Sequence, residues 1–297
     1  MLGVWRVGVY ARIVDTTDQP SREASEIVEA NRRVHSLLAS SYNETEPHFR
    51  PENRAKVLRR LTELAGIAPS RVRMLDLGCG TGFLLSLAHP LFESIDGIDA
   101  TPAMLARVDL SPGNIHLHEG VVERLPFESE AFDMVTAYSF LDHLEDHVVV
   151  LAEAHRVLKP GGVLYFDLVP NQRFWHAIES AARSDDRGID PIVDREIHEL
   201  LHHEEKLQAA FGVAPEDWRN AEPAKSAGKG FDPDVLADEV SAVGFTTTIR
   251  HEWYLGQAAV MHGDSASSAD LIDGHLRRLL PVTSSLFKYL VVTAVKK

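Results

Sequence analysis

Arg73-Met74-Leu75-Asp76-Leu77 is followed by Gly78-Cys79-Gly80-Thr81-Gly82 and then by Phe83-Leu84-Leu85. A carboxylate, glycine at every second position and an apolar run read as a buried strand, a turn and a helix start. A side chain at Gly78 or Gly80 would fill space that a ligand needs, and glycine takes the positive φ such turns often require. Asp76, at the carboxyl end of the strand, sets a negative charge toward the crevice where open α/β sheets bind ligands. The expected ligand therefore carries a cation as well as a nucleoside. Asp99 lies roughly 20 residues beyond Gly78, the interval at which an acid at the end of the second strand accepts both hydroxyls of a ribose. Asp96 is the weaker candidate, since it precedes a glycine inside the strand. His143 stands in Leu141-Asp142-His143-Leu144 after a fourth apolar run, and histidine is the residue type that could take a proton from a hydroxyl or amine near neutral pH. It could equally cap a turn or hydrogen-bond the ligand. Asp142 could orient the imidazole or face water.

These motifs must be positioned by the elements around them. Apolar runs at Arg73–Leu77, Ser94–Ile98, Ile115–His118, Met134–Tyr138 and Val163–Leu168 alternate with helical stretches, the pattern of a parallel sheet wound by crossover helices. A helix at Phe231–Val243 and strands at Thr246–Trp253 and Tyr289–Val295 bring the total to seven strands. Ser21 to Leu38 and residues 51–65 have helical spacing, with Pro51 in a first turn and Gly66 as a stop. Residues 41–50 between them look too irregular and polar for core.

The Asp76–Gly82 run resembles the first motif of the class I S-adenosylmethionine-dependent methyltransferases. Glu119 to Phe127 is similar to that family's loop after the third strand. Phe132-Asp133-Met134-Val135 resembles its fourth strand, and Glu153 through Arg156-Val157-Leu158-Lys159-Pro160-Gly161-Gly162 the helix and turn before the fifth. The matches stay in register over residues 72–168. A dinucleotide dehydrogenase would instead want G-x-G-x-x-G; here Phe83 stands at the third glycine and Gly82 is one position early.

The resemblance implies an α/β fold with a doubly wound, Rossmann-like, seven-stranded sheet, mostly parallel with the last strand antiparallel. It implies a cofactor site for S-adenosylmethionine, released as S-adenosylhomocysteine, built from Asp76, Gly78, Gly80, Asp99, Ala100, Met104, Val122 and Tyr138. Met104 could pack an adenine ring or the core, and Tyr42 could close the methionine end of the cofactor or pack between helices. Where many relatives carry an acid for the adenine amino group this chain has Val121, which leaves that contact to the backbone near Val122 or to Glu123. No Asn/Asp-Pro-Pro-aromatic sequence of the nucleic-acid amino-methylating relatives follows the fourth strand.

The expected activity is methyl transfer to a small-molecule acceptor, with oxygen preferred because of His143. A catalytically silent scaffold or regulatory subunit that binds the same cofactor, and a NAD-dependent oxidoreductase, are the alternatives. The organisation expected is an N-terminal helical cover over 1–70, a cofactor-binding core over 71–170, an inserted helical lid over 171–230 and a C-terminal part of the core over 231–297. That last part carries its own insertion at 255–286. Phe174, Trp175, Phe211 and Trp218 could wall the substrate or form the insertion's own small core.

The bulk numbers agree with this reading. Of 297 residues 44% are hydrophobic and 25% charged, as in ordinary globular proteins. A formal net charge of −14 disfavours a nucleic-acid partner, which needs a basic stripe. The single cysteine, Cys79, excludes an internal disulfide and fits a reducing cytoplasm. Met1 to Val14 is broken by Arg6 and Arg12, so neither a leader nor a membrane span is expected. His198 and His202, one helical turn apart beside His203, could hold zinc only with a further ligand and a pocket, and no metal is expected.

Overall fold

The computed structural model describes residues 22–183, 191–226, 229–263 and 266–297. Met1 to Val14, where neither a leader nor a membrane span is expected, lies outside the described residues. Seven strands form one sheet: β1 (Arg73–Leu77), β2 (Ser94–Asp99), β3 (Ile115–Glu119), β4 (Phe132–Tyr138), β5 (Leu158–Pro170), β6 (Phe245–Tyr254) and β7 (Phe287–Lys296). Their order is β3-β2-β1-β4-β5-β7-β6. The first five are parallel, and β7 runs antiparallel to both β5 and β6. The sequence order reverses between β1 and β4, and the crevice at such a reversal is where open α/β sheets bind ligands.

Ahead of the sheet come α1 (Arg22–Leu38), α2 (Tyr42–Thr45) and α3 (Pro51–Ile67); α4 (Phe83–Ala88) follows β1, α5 (Pro102–Leu105) follows β2 and α6 (His147–Val157) joins β4 to β5. Between β5 and β6 lie α7 (Gln172–Ala182), α8 (Pro191–Leu201), α9 (His203–Phe211), α10 (Pro215–Ala221), α11 (Pro223–Ser226) and α12 (Pro233–Val243), and α13 (Gln257–Gly263) and α14 (Ala266–Arg278) precede β7. One face of the sheet packs Leu75, Leu77, Val135 and Phe166 against Val150, Leu151 and Leu236 from α6 and α12. The other packs Met74, Met134 and Tyr165 against Val57, Leu61, Leu84 and Leu85 from α3 and α4. Strands buried on both faces need near-continuous apolar runs, which is why those runs were conspicuous in the sequence.

Both insertions leave and rejoin the sheet at single points. Phe231 N–H donates to Pro170 O at 2.8 Å and Gln172 N–H to Phe231 O at 3.0 Å; Leu255 N–H donates to Leu286 O at 2.8 Å. The completely buried Asn171 side chain donates to Ser284 O and Phe287 O, each at 2.8 Å, which clamps the two junctions together.

Several boundaries differ from expectation for local reasons. β5 begins at Leu158 and not at Val163, because Phe132 already pairs with Leu158. The helix expected from Phe231 starts at Pro233, where the Asp232 carboxylate accepts from Asp234 N–H at 2.9 Å as a cap. The helix-like stretch Ile192–Phe211 is divided into α8 and α9 at His202, whose backbone leaves the helical region. Among the described residues no helix is long and apolar enough to cross a membrane.

Candidate functional site

Turns at the carboxyl ends of β1, β2 and β4 form the floor of a cleft of about 700 Å³. Gly78 and Gly80 both have positive φ, at 62° and 52°, so the β1 turn needs glycine twice. An added Cβ at Gly80 would meet only Met104 Cε at 3.8 Å, whereas at Gly78 it would lie 2.1 Å from the Phe140 ring. The expectation that both glycines clear space for a ligand is thus corrected at Gly78: Phe140 fills the space there, and the close approach is between the β1 and β4 turns. The Asp99 carboxylate accepts from Gly80 N–H at 2.9 Å and from Thr101 N–H at 2.7 Å, fixing the two turns relative to each other.

Tyr42, Gly78, Gly80, Asp99, Ala100, Met104, Val122, Tyr138 and His143 all line this cleft, together with Val121 and Glu123. Asp76 does not. It is 3% exposed beneath the turn and accepts from Thr136 Oγ1 at 2.7 Å. Burial pushes its carboxyl up to about 7, Thr136 opposes the rise and Asp99 adds to it. The expectation that Asp76 faces the crevice is therefore corrected to a place behind it. Cys79 is buried, and burial pushes its thiol up, so it is a poor nucleophile.

The roof comes from two segments outside the strand-turn repeat. On α1, Ala30, Val34 and Leu38 pack against Val213, Trp218 and Ala221 of the insertion, with Tyr42 and Phe211 at the edge. Phe211 and Trp218 thus join the insertion to α1, while Phe174 and Trp175 pack with Ile178 and Ile197 in the insertion's own small core. Arg32 Nε of α1 donates to Ala100 O at 2.8 Å, and Thr81 Oγ1 of the glycine turn bonds Asn43 Oδ1 at 2.5 Å. Residues 41–50, expected to be peripheral, contribute His48 at 7% exposure, its ring 4.7 Å from Phe83 and 5.3 Å from Tyr138. Tyr42 and Phe49 complete that aromatic cluster.

His143 sits where floor meets roof. Its Nδ1 lies 2.9 Å from Ala221 O of the insertion. A carbonyl only accepts, so Nδ1 carries the hydrogen and Nε2 holds the lone pair of the neutral ring. Asp142, expected to orient the imidazole or to face water, is 4% exposed. Its carboxylate, a ring nitrogen of His143 and the Glu222 carboxylate lie within 4.8 Å of one another.

Asn31 and His35, both on α1, are among the cleft-wall residues that sequence reasoning missed. The His35 ring stands 5.1 Å from His143, edge to face, and its Nδ1 lies 3.0 Å from Asn31 O. Burial pulls His35 down to about 4, and His143 adds to that. Only the α1 docking brings His35 to the site, and no motif marks it. His198 and His202 stack at 4.0 Å, with His202 Nδ1 at 2.8 Å from His198 O; the side chain of His203 lies outside the described residues.

Residues 75–166 match the family model described as "Methyltransferase domain". The ubiquinone biosynthesis O-methyltransferase of Paracidovorax citrulli is 34% identical over 141 residues, covering 45% of this chain and 59% of that one. The demethylmenaquinone methyltransferase of Chlorobaculum parvum is 39% identical over 94 residues, covering 31% and 39%. The chain thus spans about half the length of the curated relatives it matches. A solved Haemonchus contortus phosphoethanolamine N-methyltransferase 2 superposes with a TM-score of 0.52 at 14% identity, over 93% of this chain and 60% of that one, which speaks for the fold alone. Residues 75–166 thus carry a methyltransferase-domain match, on a sheet that reverses its order between β1 and β4 as the resemblance to the class I S-adenosylmethionine-dependent methyltransferases implies.

Proposed function

We propose that the protein is an S-adenosylmethionine-dependent methyltransferase acting on a small-molecule acceptor, with a hydroxyl oxygen as the preferred nucleophile. One observation carries the reading: nine separately encoded residues, from Tyr42 to His143, line one cleft at the switch point of the sheet. The donor set suits the cofactor. Asp99 keeps acceptor capacity for the ribose hydroxyls beyond its two backbone bonds, since a carboxylate offers about four lone-pair sites. Met104, 2% exposed, and Val122, 5% exposed, offer apolar surface to an adenine. With Val121 in place of an acid, the amino group falls to the backbone near Val122 or to Glu123, whose carboxyl burial pushes up. The acidic surroundings favour a cation. S-adenosylmethionine supplies a methyl group on a sulfonium, and transfer leaves a neutral thioether.

The chain's own work is to align the acceptor and to hold its proton, because orientation supplies much of the rate of an in-line displacement. His143 Nε2 takes the hydroxyl proton, and Tyr42, Phe140 and Leu144 give the acceptor an aromatic and apolar wall. Asp142 and Glu222 disfavour acceptors bearing a carboxylate or phosphate near His143. The name of the Paracidovorax citrulli relative, an O-methyltransferase of ubiquinone biosynthesis, supports oxygen as the methylated atom, and His143 favours the same choice.

The test is a calorimetric titration with S-adenosylmethionine and S-adenosylhomocysteine, with NADH as the control ligand. Binding of the two sulfur nucleosides alone is the expected result; binding of NADH alone overturns the reading. A screen of hydroxylated aromatic acceptors then separates an enzyme from a silent cofactor-binding scaffold.

A further inference from the structure

We propose that the insertion makes His143 a base: Ala221 sets its tautomer, and Glu222, with the buried Asp142, balances the charge it gains on taking a proton. The proposal rests on the methyltransferase reading and identifies Asp142 and Glu222 as positioning residues for it. Both carboxylates are almost fully buried, at 4% and 6% exposure. They come from different parts of the chain, the turn after β4 and the end of α10. Asp142 Oδ1 is buried with no hydrogen-bond partner among the described residues, an unfavourable state for an acceptor removed from water.

The charge balance of the cluster favours an imidazolium beside these two carboxylates. Lys225 Nζ pairs with Glu222 at 2.9 Å. Burial alone would pull this ammonium down, but Glu222 and Asp142 outweigh it and hold Lys225 charged. With both carboxylates ionised and His143 neutral, Asp142, Glu222 and Lys225 together sum to one negative charge. Burial opposes that charge and pushes Asp142 up, while His143 pulls it down. A proton on His143 brings the cluster to neutrality. Among the other titratable groups that face the carboxylates, His35 of α1 is held neutral by burial, and Glu46 and Tyr289 add no positive charge.

The step is a proton transfer. The acceptor O–H bond breaks, its electron pair stays on oxygen as the nucleophile, and the proton bonds to His143 Nε2. The Nδ1–H bond to Ala221 O persists, so the imidazolium keeps a fixed orientation. The proton leaves to solvent after turnover. The insertion must therefore be docked for the base to exist, and the acceptor is deprotonated only beneath a closed roof.

The experiment is a nitrogen NMR titration of the His143 ring in the full-length protein, assigned with His143→Gln, in the wild type and in Glu222→Gln. The expected wild-type ring is the Nδ1–H tautomer, and its protonation midpoint falls by about one pH unit in Glu222→Gln, a tenfold loss of proton affinity. Asp142→Asn is expected to shift it in the same direction, and Glu222→Asp to restore part of it. An unmoved midpoint in a folded Glu222→Gln protein, or an Nε2–H tautomer in the wild type, overturns the proposal. So does stoichiometric binding of Mg²⁺ or Zn²⁺ that depends on Asp142 and Glu222, which would make the cluster a metal site. Calorimetry with S-adenosylhomocysteine on the same samples keeps the two readings apart. Its failure in the wild type strikes the proposed function, whereas normal binding with an unmoved His143 titration strikes only this inference.

Discussion

The floor of the cleft is made of backbone turns at the ends of adjacent strands, whereas its roof is made of side chains on α1 and α10, two helices far apart in sequence. The floor is held by ladder bonds and by Asp99, whose carboxylate joins two turns through backbone N–H groups. The roof is held by a small apolar cluster around Trp218 and by single bonds such as Arg32 to Ala100 O. A floor of that kind persists while side chains vary above it. The roof depends on the docking of two amphipathic faces, and it alone carries Asn31, His35, Ala221 and Glu222. The contrast separates the task of holding a common cofactor from the task of choosing and activating an acceptor.

Substitutions can break the contrast. His143→Ala, at the seam of floor and roof, is expected to lower turnover by about 100- to 10,000-fold, the usual worth of a positioned general base. Its affinity for S-adenosylhomocysteine should stay within about threefold of wild type; unchanged turnover would remove His143 from the chemistry. Trp218→Ala deletes the largest side chain of the roof cluster, at a cost of about 3 kcal/mol. Hydrogen exchange should accelerate over residues 22–45 and 211–226 while β1, β2 and β4 keep their protection. Equal loosening of the strands would mean that roof and floor are one cooperative unit.

Asp99→Ala acts on the floor alone. It leaves the N–H groups of Gly80 and Thr101 without their acceptor, and about 2 kcal/mol of cofactor affinity, roughly 30-fold, is expected to go with it. Calorimetry with S-adenosylhomocysteine reads this directly. The pH dependence of stability sharpens the comparison further. Burial pulls His48, and burial with His143 pulls His35, down to about 4 from 6.5. The unfolded chain then binds protons first, so the roof loses stability as pH falls from about 6.5 toward 4. Asp76 runs the other way. Its folded value of about 7 against 3.8 means that the floor loses stability as pH rises from about 4 to 7. Denaturant melts across that range should show the second decline flattened in Asp76→Asn and the first flattened in His48→Asn. Arg33→Ala removes a pair with Asp217 at 2.9 Å whose side chains are 55% and 39% exposed, and about 0.5 kcal/mol or less is expected.

The legibility of the molecule follows the same division. The Asp76–Gly82 turn, Asp99 and the five parallel strands could be read directly, because a doubly buried strand needs a continuous apolar run and a positive-φ turn needs glycine. Those are constraints that neighbours along the chain impose on one another. His35 carried no such mark, since a histidine on an amphipathic helix is ordinary. Residues 41–50 looked peripheral because His48 is buried against Phe83 and Tyr138, and Phe49 half-buried against Phe83, partners supplied from elsewhere. The burial of Asp76 behind its own turn was likewise decided by Thr136 on the neighbouring strand.

The amino-acid sequence by itself determined the sheet, the glycine turn and the acid at the end of β2, because each rests on local backbone geometry and on a two- or three-residue periodicity. Only the tertiary structure decided that Ala221, Glu222 and Lys225 meet Asp142 and His143. Contacts between residues some eighty positions apart depend on how α1 and the insertion pack over the crevice, and no short spacing in the chain records that packing.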